Sequence, residues 1–254
     1  MMQSKTQMSA TRKQNHSSGL VMAFLQARMG STRLPGKVLM QIQGKSILER
    51  VILRLRAAPA IDGVAVLTTS FGEDDSIAKE ARRLGALVYR GPDQDVLRRF
   101  QEASEEFKPE VIVRATADNP LIDIGSVNRI VHALRSGDLD LCMEDELPYG
   151  AATEACTPEA LAKAHLLARE PRHREHVTLY IKEHPEEFRV GLLKAPKCLR
   201  QPHVRVTVDT PEDLVFMNRL ICSLPERNGP TPLNDYIPIA LSAGQAGPKS
   251  RMAP

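Results

Sequence analysis

The densest chemistry in this 254-residue chain lies in three cations, Arg28, Arg33 and Lys37, set within Gln26-Ala27-Arg28-Met29-Gly30-Ser31-Thr32-Arg33-Leu34-Pro35-Gly36-Lys37. Two glycines, two hydroxyls and a proline lie among them. Small residues let backbone N–H groups approach an anion closely, and the cations neutralise it. The pattern suits a bound di- or triphosphate. A basic surface turn would need neither fixed offsets among glycines nor the turn preset by Pro35-Gly36. Two familiar phosphate motifs are excluded. A P-loop needs four residues between its glycines and then Lys-Ser/Thr, whereas five separate Gly30 from Gly36 and Val38 follows Lys37. A dinucleotide fingerprint would need a third glycine that is missing here.

Two carboxylates extend the set. Asp118 follows the strand-like run 110–115, and Asp209 follows the run 203–208. Both are expected beyond the carboxyl ends of sheet strands, the edge where open α/β sheets bind ligands. A triphosphate there needs a hard divalent cation to screen it. Mg²⁺ takes one or two carboxylates, with phosphate oxygens and water as its other ligands. Asp118 and Asp209 are therefore the candidate ligands for Mg²⁺ (or Mn²⁺). Each has a plainer alternative: a turn residue before Pro120, and a cap on the helix opened by Thr210-Pro211-Glu212-Asp213.

The elements that must position these groups alternate. Strands are expected at 21–27, 63–69, 86–89, 110–115, 139–142, 188–193 and 203–208. Helices are expected at 46–57, 75–84, 95–107, 126–135, from Thr157-Pro158 onward, at 174–183 and from 210 to 220. The 46–57 helix carries Ile47, Leu48, Val51, Ile52 and Leu55 on one face, and Ser46 with Glu49 forms a capping box. The 63–69 run, GVAVLTT, is almost wholly apolar, as a buried parallel strand would be. This alternation predicts an α/β layer fold in one domain, residues 19–223. Residues 1–18 lack an apolar signal-peptide region and are expected to be disordered. Residues 224–254 are rich in Pro, Gly and Ser and are expected to be loosely held, with a short docked helix at 235–241.

Composition narrows the partners. The net charge is only +3 and tryptophan is absent, which argues against nucleic acid and membrane surfaces. The cysteines at 142, 156, 198 and 222 offer no CxxC pair, so buried thiols in a reducing cytosol are expected.

Six stretches, in order, resemble the SpsF-like branch of the cytidylyltransferases, relatives of the CMP-sialic acid and CMP-Kdo synthetases. They are QARMGSTRLPGK (26–37), EDD (73–75), RGPDQDVLRRF (90–100), RATADNPLID (114–123), REHVTLYI (174–181) and VTVDTPEDL (206–214). The resemblance implies a three-layer αβα sandwich with a mostly parallel, Rossmann-like sheet. It implies CTP as co-substrate, with phosphates held by Arg28, Arg33 and Lys37 and the loop positions Gln26, Gly30 and Ser31 around them. Arg90 and Asp95 would lie near the nucleotide, and Asp118 and Asp209 would carry the metal. Tyr149, Glu154 and His176 are candidates for contact with a small anionic acceptor. The chain departs from the family where a Gly-Leu-Asp-Val-Glu segment is usual: it has Gly150-Ala151-Ala152-Thr153-Glu154, with Ala152 replacing the acid. A different acceptor is the implied consequence, and a homodimer is implied as well. The rival readings are a nucleotide-sugar glycosyltransferase, which would want an Asp-x-Asp where this chain has Ala117-Asp118-Asn119, and a non-catalytic nucleotide-binding protein.

Overall fold

The computed structural model describes residues 19–224 and 229–243; the expectation for residues 1–18 lies outside them. In chain order the first half contains β1 (Val21–Gln26), β2 (Gln41–Ile42), β3 (Lys45–Ser46), α1 (Ile47–Arg56), β4 (Gly63–Thr69), α2 (Asp75–Arg83), β5 (Leu87–Gly91), α3 (Val96–Phe107) and β6 (Val111–Thr116). The second half adds α4 (Ile124–Ser136), β7 (Leu141–Asp145), β8 (Glu154–Cys156), α5 (Pro158–Leu167), α6 (Pro171–Glu175), α7 (Leu179–Glu183), β9 (Val190–Lys194), α8 (Pro211–Cys222) and α9 (Leu233–Ser242).

Seven strands form one sheet in the order β5-β4-β1-β6-β8-β7-β9. Only β8 runs antiparallel to its neighbours. β1 lies at the centre of the parallel half, with Gln26 opposite Leu67 on β4 and Thr116 on β6. Its side chains alternate between two cores, as the pleat requires. Val21, Ala23 and Leu25 meet the apolar faces of α1, α2 and α4. Met22 and Phe24 meet α3, α5 and α7, and the Phe24 ring stands edge-on to Phe100 and Phe107 at 5.9 and 6.1 Å. Helices thus cover both faces, giving the three-layer αβα sandwich.

The helix starts are local. Ser46 accepts from the Glu49 N–H at 3.0 Å, and Thr210 and Asp213 form a complete capping box on α8. Two differences from the expected elements have physical causes. The run 203–208 alternates as a strand should, with Val204, Val206 and Val208 buried. Its backbone, however, bonds to loops, at Tyr149 and at the Asp118 carbonyl, so it is an extended segment outside the sheet. The expected single helix at 174–183 is two short ones, interrupted at the β-branched pair Val177-Thr178. The short docked helix expected at 235–241 is present as α9, which buries Leu233, Tyr236, Ile237 and Ala240 in a third apolar cluster with α8 and the extended segment.

Candidate active site

The loop after β1 is an excursion pinned at its base. The Met29 N–H donates to Asp74 Oδ1 at 2.7 Å, and the Met29 carbonyl accepts from Ser31 at 2.8 Å and Gly36 at 3.0 Å. Gly36 has φ +69°, a left-handed conformation that costs a side-chain-bearing residue energy. Among the described residues the N–H groups of Gly30, Thr32 and Arg33 have no protein acceptor. Ser31 Oγ accepts from the Leu34 N–H at 3.4 Å. The loop therefore keeps its small-residue side open to an anion.

Asp74 was legible only as part of a motif, yet it is the anchor. It is fully buried. Its second oxygen accepts from Thr68 Oγ1, the Thr69 N–H and Thr69 Oγ1 at 2.9, 3.0 and 2.5 Å. Burial alone would raise its pKa; these donors and Met29 outweigh that and hold it below the ordinary carboxylate value. One ionised side chain thus ties the loop to the end of β4.

At the far end of the loop, Lys37 points into the molecule and is 8% exposed. Its Nζ donates to Asp118 Oδ2 at 2.9 Å, Asp209 Oδ1 at 2.8 Å and the Val208 carbonyl at 2.9 Å. The two aspartates, 91 positions apart in the sequence, converge on this one cation. Arg33 Nη2 lies 2.9 Å from the same Asp209 Oδ1. The other Asp209 oxygen takes Arg205 Nη2, and Arg205 also grips both oxygens of Asp213 at 3.1 Å. Asp213 in turn accepts from the Asp209 and Thr210 N–H groups. Burial raises the pKa of Asp209, but Lys37 and Arg205 as donors and the Arg33 charge bring it below the usual value. Asp213 is lowered in the same sense, chiefly by Arg205 against burial.

Asp118 is placed where β6 ends, and its carbonyl accepts from the Val208 N–H at 2.9 Å and Thr207 Oγ1 at 3.2 Å. The extended segment therefore serves the site without joining the sheet: it carries Asp209 alongside Asp118. Among the described residues no three His, Cys, Asp or Glu side chains form a metal cage. The donor set nevertheless suits a hard divalent cation of the Mg²⁺ type. Two carboxylates already converge on one positive centre, and substrate phosphate and water normally complete such a shell.

The other expected site residues are placed as follows. Arg28 is half exposed, with Nη1 3.4 Å from Asp93 Oδ1. The loop holding Asp93 is shaped by buried Arg99, which donates to the Pro92 and Asp93 carbonyls. Arg90 braces the connection after β4 through the Thr69 and Phe71 carbonyls and Asp75. Asp95 caps α3 through the Arg98 N–H and lies 3.5 Å from Arg174. Gln26 Oε1 is buried with no partner among the described residues. Glu154 sits on β8 in an ion cluster with Arg114 at 3.0 Å, Lys182 and Thr178. Burial would raise its pKa, but the charges of Arg114 and Lys182 and the donors Lys182 and Thr178 lower it to about 2. His176 is exposed between α6 and α7. Tyr149 is exposed and stacks under Arg205 at 5.1 Å, one side chain from Asp209. Arg205 had no sequence signal, and Asp213 and Arg99 stood in the sequence only within the stretches 206–214 and 90–100, with no site role.

The sequence profile of the family described as Cytidylyltransferase matches residues 22–236. An uncharacterised protein of Methanocaldococcus jannaschii is 39% identical over 193 residues, 76% of this chain and 79% of its own length. The spore coat polysaccharide biosynthesis protein SpsF of Bacillus subtilis is 34% identical over 212 residues, 82% of this chain and 88% of its own. Among solved structures, a cytidylyltransferase from Leptospira borgpetersenii superposes with a TM-score of 0.81 at 28% identity, covering 92% of this chain and 99% of its own. A CMP:2-keto-3-deoxy-manno-octonic acid synthetase complexed with CTP shares the fold, with a TM-score of 0.62 at 18% identity over 80% of this chain and 99% of its own. The family profile over residues 22–236 and these relatives show that this chain is a nucleotidyltransferase and belongs to the cytidylyltransferase family.

Proposed function

We propose that this protein transfers CMP from CTP to a small anionic acceptor, a sugar acid or a phosphorylated or phosphonate compound, and releases pyrophosphate. The observation that carries the reading is the meeting of Lys37 with Asp118 and Asp209 at 2.8–2.9 Å, at the end of the loop bearing Arg28 and Arg33. In the proposed reaction the acceptor oxygen attacks the α-phosphorus of CTP in line. The new P–O bond forms as the bond to the bridging oxygen breaks, and pyrophosphate carries away that electron pair.

Negative charge grows on the leaving oxygen and around the phosphorus, so positioning and electrostatic stabilisation do most of the catalysis. Arg28 and Arg33 hold the triphosphate from the solvent side, and the open N–H groups of Gly30, Thr32 and Arg33 orient it. Lys37 faces the developing charge. Asp118 and Asp209 would hold Mg²⁺ or Mn²⁺, which supplies charge neutralisation at the phosphate oxygens. Arg205 and Asp213 keep Asp209 oriented.

The acceptor side rests on the turn 149–153. A Cβ on Gly150 would lie 2.8 Å from Thr207 and 3.1 Å from Asn119, so this turn packs against the residue following Asp118. Ala152 is exposed there, leaving the turn without the family's usual carboxylate. An acceptor that already carries phosphate or phosphonate is an anion and needs no general base, which suits that loss. The name of the SpsF relative supports a role in surface polysaccharide biosynthesis. The reading also carries a homodimer, a catalytic unit spanning 19–223 and a cytoplasmic location; no described helix is long and apolar enough to cross a membrane.

The test is pyrophosphate release with Mg²⁺, crossing the four nucleoside triphosphates with sugar acids, sugar phosphates and phosphonates. Release with CTP and one acceptor class is expected. Transfer from a nucleotide sugar without pyrophosphate would favour the glycosyltransferase reading.

A further inference from the structure

The proposed role of Lys37 meets an obstacle in its own hydrogen bonds. An ammonium has three donors, and Asp118, Asp209 and the Val208 carbonyl take one each. None is left for a phosphate. Arg33 is held in part as well, on the same Asp209 Oδ1. The cations of the loop are engaged by the chain's own carboxylates, and in this cluster Lys37, Arg33 and Arg205 balance Asp118, Asp209 and Asp213.

Asp209 divides its oxygens between two tasks. Oδ2 is fixed by Arg205, itself bound to Asp213, and Asp213 accepts from the Asp209 N–H. Among the described residues Oδ1 faces only the loop cations, Lys37 and Arg33. One side of the carboxylate is a permanent anchor and the other can change partner without disturbing it. Lys37 reaches the pair on a flexible four-carbon stem, from the residue directly after the left-handed Gly36.

We propose that Lys37 is a built-in counterion that occupies the Asp118–Asp209 pair in the nucleotide-free protein and exchanges places with a divalent cation. This rests on the phosphate-loop reading above and extends it to regulation of the site. A metal ion arriving with nucleotide takes the two carboxylates, and Lys37 and Arg33 are released to the phosphates. Every buried charge keeps a partner through the exchange, whereas metal alone would leave the Lys37 ammonium buried among like charge. Metal and nucleotide therefore bind cooperatively, and by linkage each raises the affinity of the other equally.

The experiment is a titration with Mn²⁺ in the absence of nucleotide, followed by the electron paramagnetic resonance signal of free Mn²⁺. It compares the wild-type chain, Lys37→Met, Arg33→Ala and the double variant Lys37→Met/Asp209→Asn. Removing Lys37 is expected to tighten Mn²⁺ binding by about tenfold or more, a shift of one decade in the dissociation constant. Arg33→Ala, at an exposed side chain, is expected to tighten it by a smaller factor, and the double variant is expected to lose the gain. Arg33→Ala keeps the proposal testable if the lysine variant does not fold. Unchanged Mn²⁺ affinity in both single variants, while wild type still binds CTP with Mn²⁺, would overturn the exchange and leave the phosphate-loop reading standing. Absence of CTP binding to wild type at any Mn²⁺ concentration would instead overturn that underlying reading.

Discussion

Lys37 concentrates the chemistry at the scale of single residues. Its ammonium joins the loop to Asp118 beyond β6 and to Asp209 beyond the extended segment, so Lys37→Ala should lower turnover by about a hundredfold or more, the scale seen when a donor to developing charge is lost. Its effect on CTP affinity should be much smaller, and equal losses in kcat and affinity, read from steady-state kinetics and calorimetry, would contradict the transition-state role. Glu154 gives a second residue-scale prediction. Its carboxylate is held near pKa about 2, below its ordinary 4.5, by Arg114 and Lys182. A lowered folded-state pKa stabilises above the unfolded value and loses that contribution as pH falls through the folded one. Glu154→Gln should cost on the order of 3 kcal/mol at neutral pH, because two partly buried cations lose their counterion. The gap to wild type in urea melts should close as pH falls from 4.5 towards 2. The three loop cations and two aspartates stood out as candidates in the sequence because each follows a strand-like run or sits among glycines. Asp74, Arg205 and Arg99 did not, although Asp74 and Arg99 fall within the stretches 73–75 and 90–100 that carry the resemblance. Their partners include backbone atoms that no side-chain pattern records: the Met29 N–H, the Asp209 N–H through Asp213, and the Pro92 carbonyl.

At the scale of elements, the site depends on how three segments end. β1 releases the loop, β6 delivers Asp118, and the extended segment before α8 delivers Asp209. The first two were legible as apolar runs, since buried parallel strands carry nearly continuous hydrophobic sequence. The third carried the same signal and yet pairs with loops, because the alternation of Val204, Val206 and Val208 reports one buried side and says nothing about which backbone lies alongside. β8 escaped because Glu154-Ala155-Cys156 is too short to show a period of two. The turn that closes the loop is directly testable. Gly36 has φ +69°, and an added Cβ would lie 3.1 Å from Met29 Cε. Gly36→Ala should destabilise the fold by about 1–2 kcal/mol and weaken CTP binding by a larger factor than that of a distant mutation of equal cost. Asp74→Asn should act on the same loop from its other end, lowering stability by about 1–3 kcal/mol through the donors it strands. An unchanged urea midpoint in that variant would contradict the anchoring role.

Across the whole molecule, the sheet places the loop after β1 and Asp118 at the carboxyl edge of its parallel strands, the extended segment 203–208 brings Asp209 alongside, and two helix layers cover the faces. Phe24, on the central strand, and its edge-on partners in α3 show how closely that packing supports β1. The cysteines read the same division. Burial was expected of all four: Cys142 and Cys156 on β7 and β8 are buried, whereas Cys198 in a short turn and Cys222 at the end of α8 are exposed, none of them disulfide-bonded. Burial and the nearby Glu154 charge push the Cys156 thiol up to about 12, so a thiol reagent should label two cysteines in the native protein and all four only after unfolding. The layer architecture was legible from the alternation of elements. The convergence of Asp118 and Asp209 on a single atom was not, since it depends on an extended segment crossing a strand end. The most direct test of the account is a calorimetric titration of the wild-type chain with each nucleoside triphosphate in Mg²⁺, repeated with CTP on Arg28→Ala and Lys37→Ala. The account predicts that CTP binds most tightly of the four and that at least Arg28→Ala weakens it by about tenfold. Failure of CTP to bind, or undiminished binding in both variants, would contradict the assignment of the loop to the triphosphate.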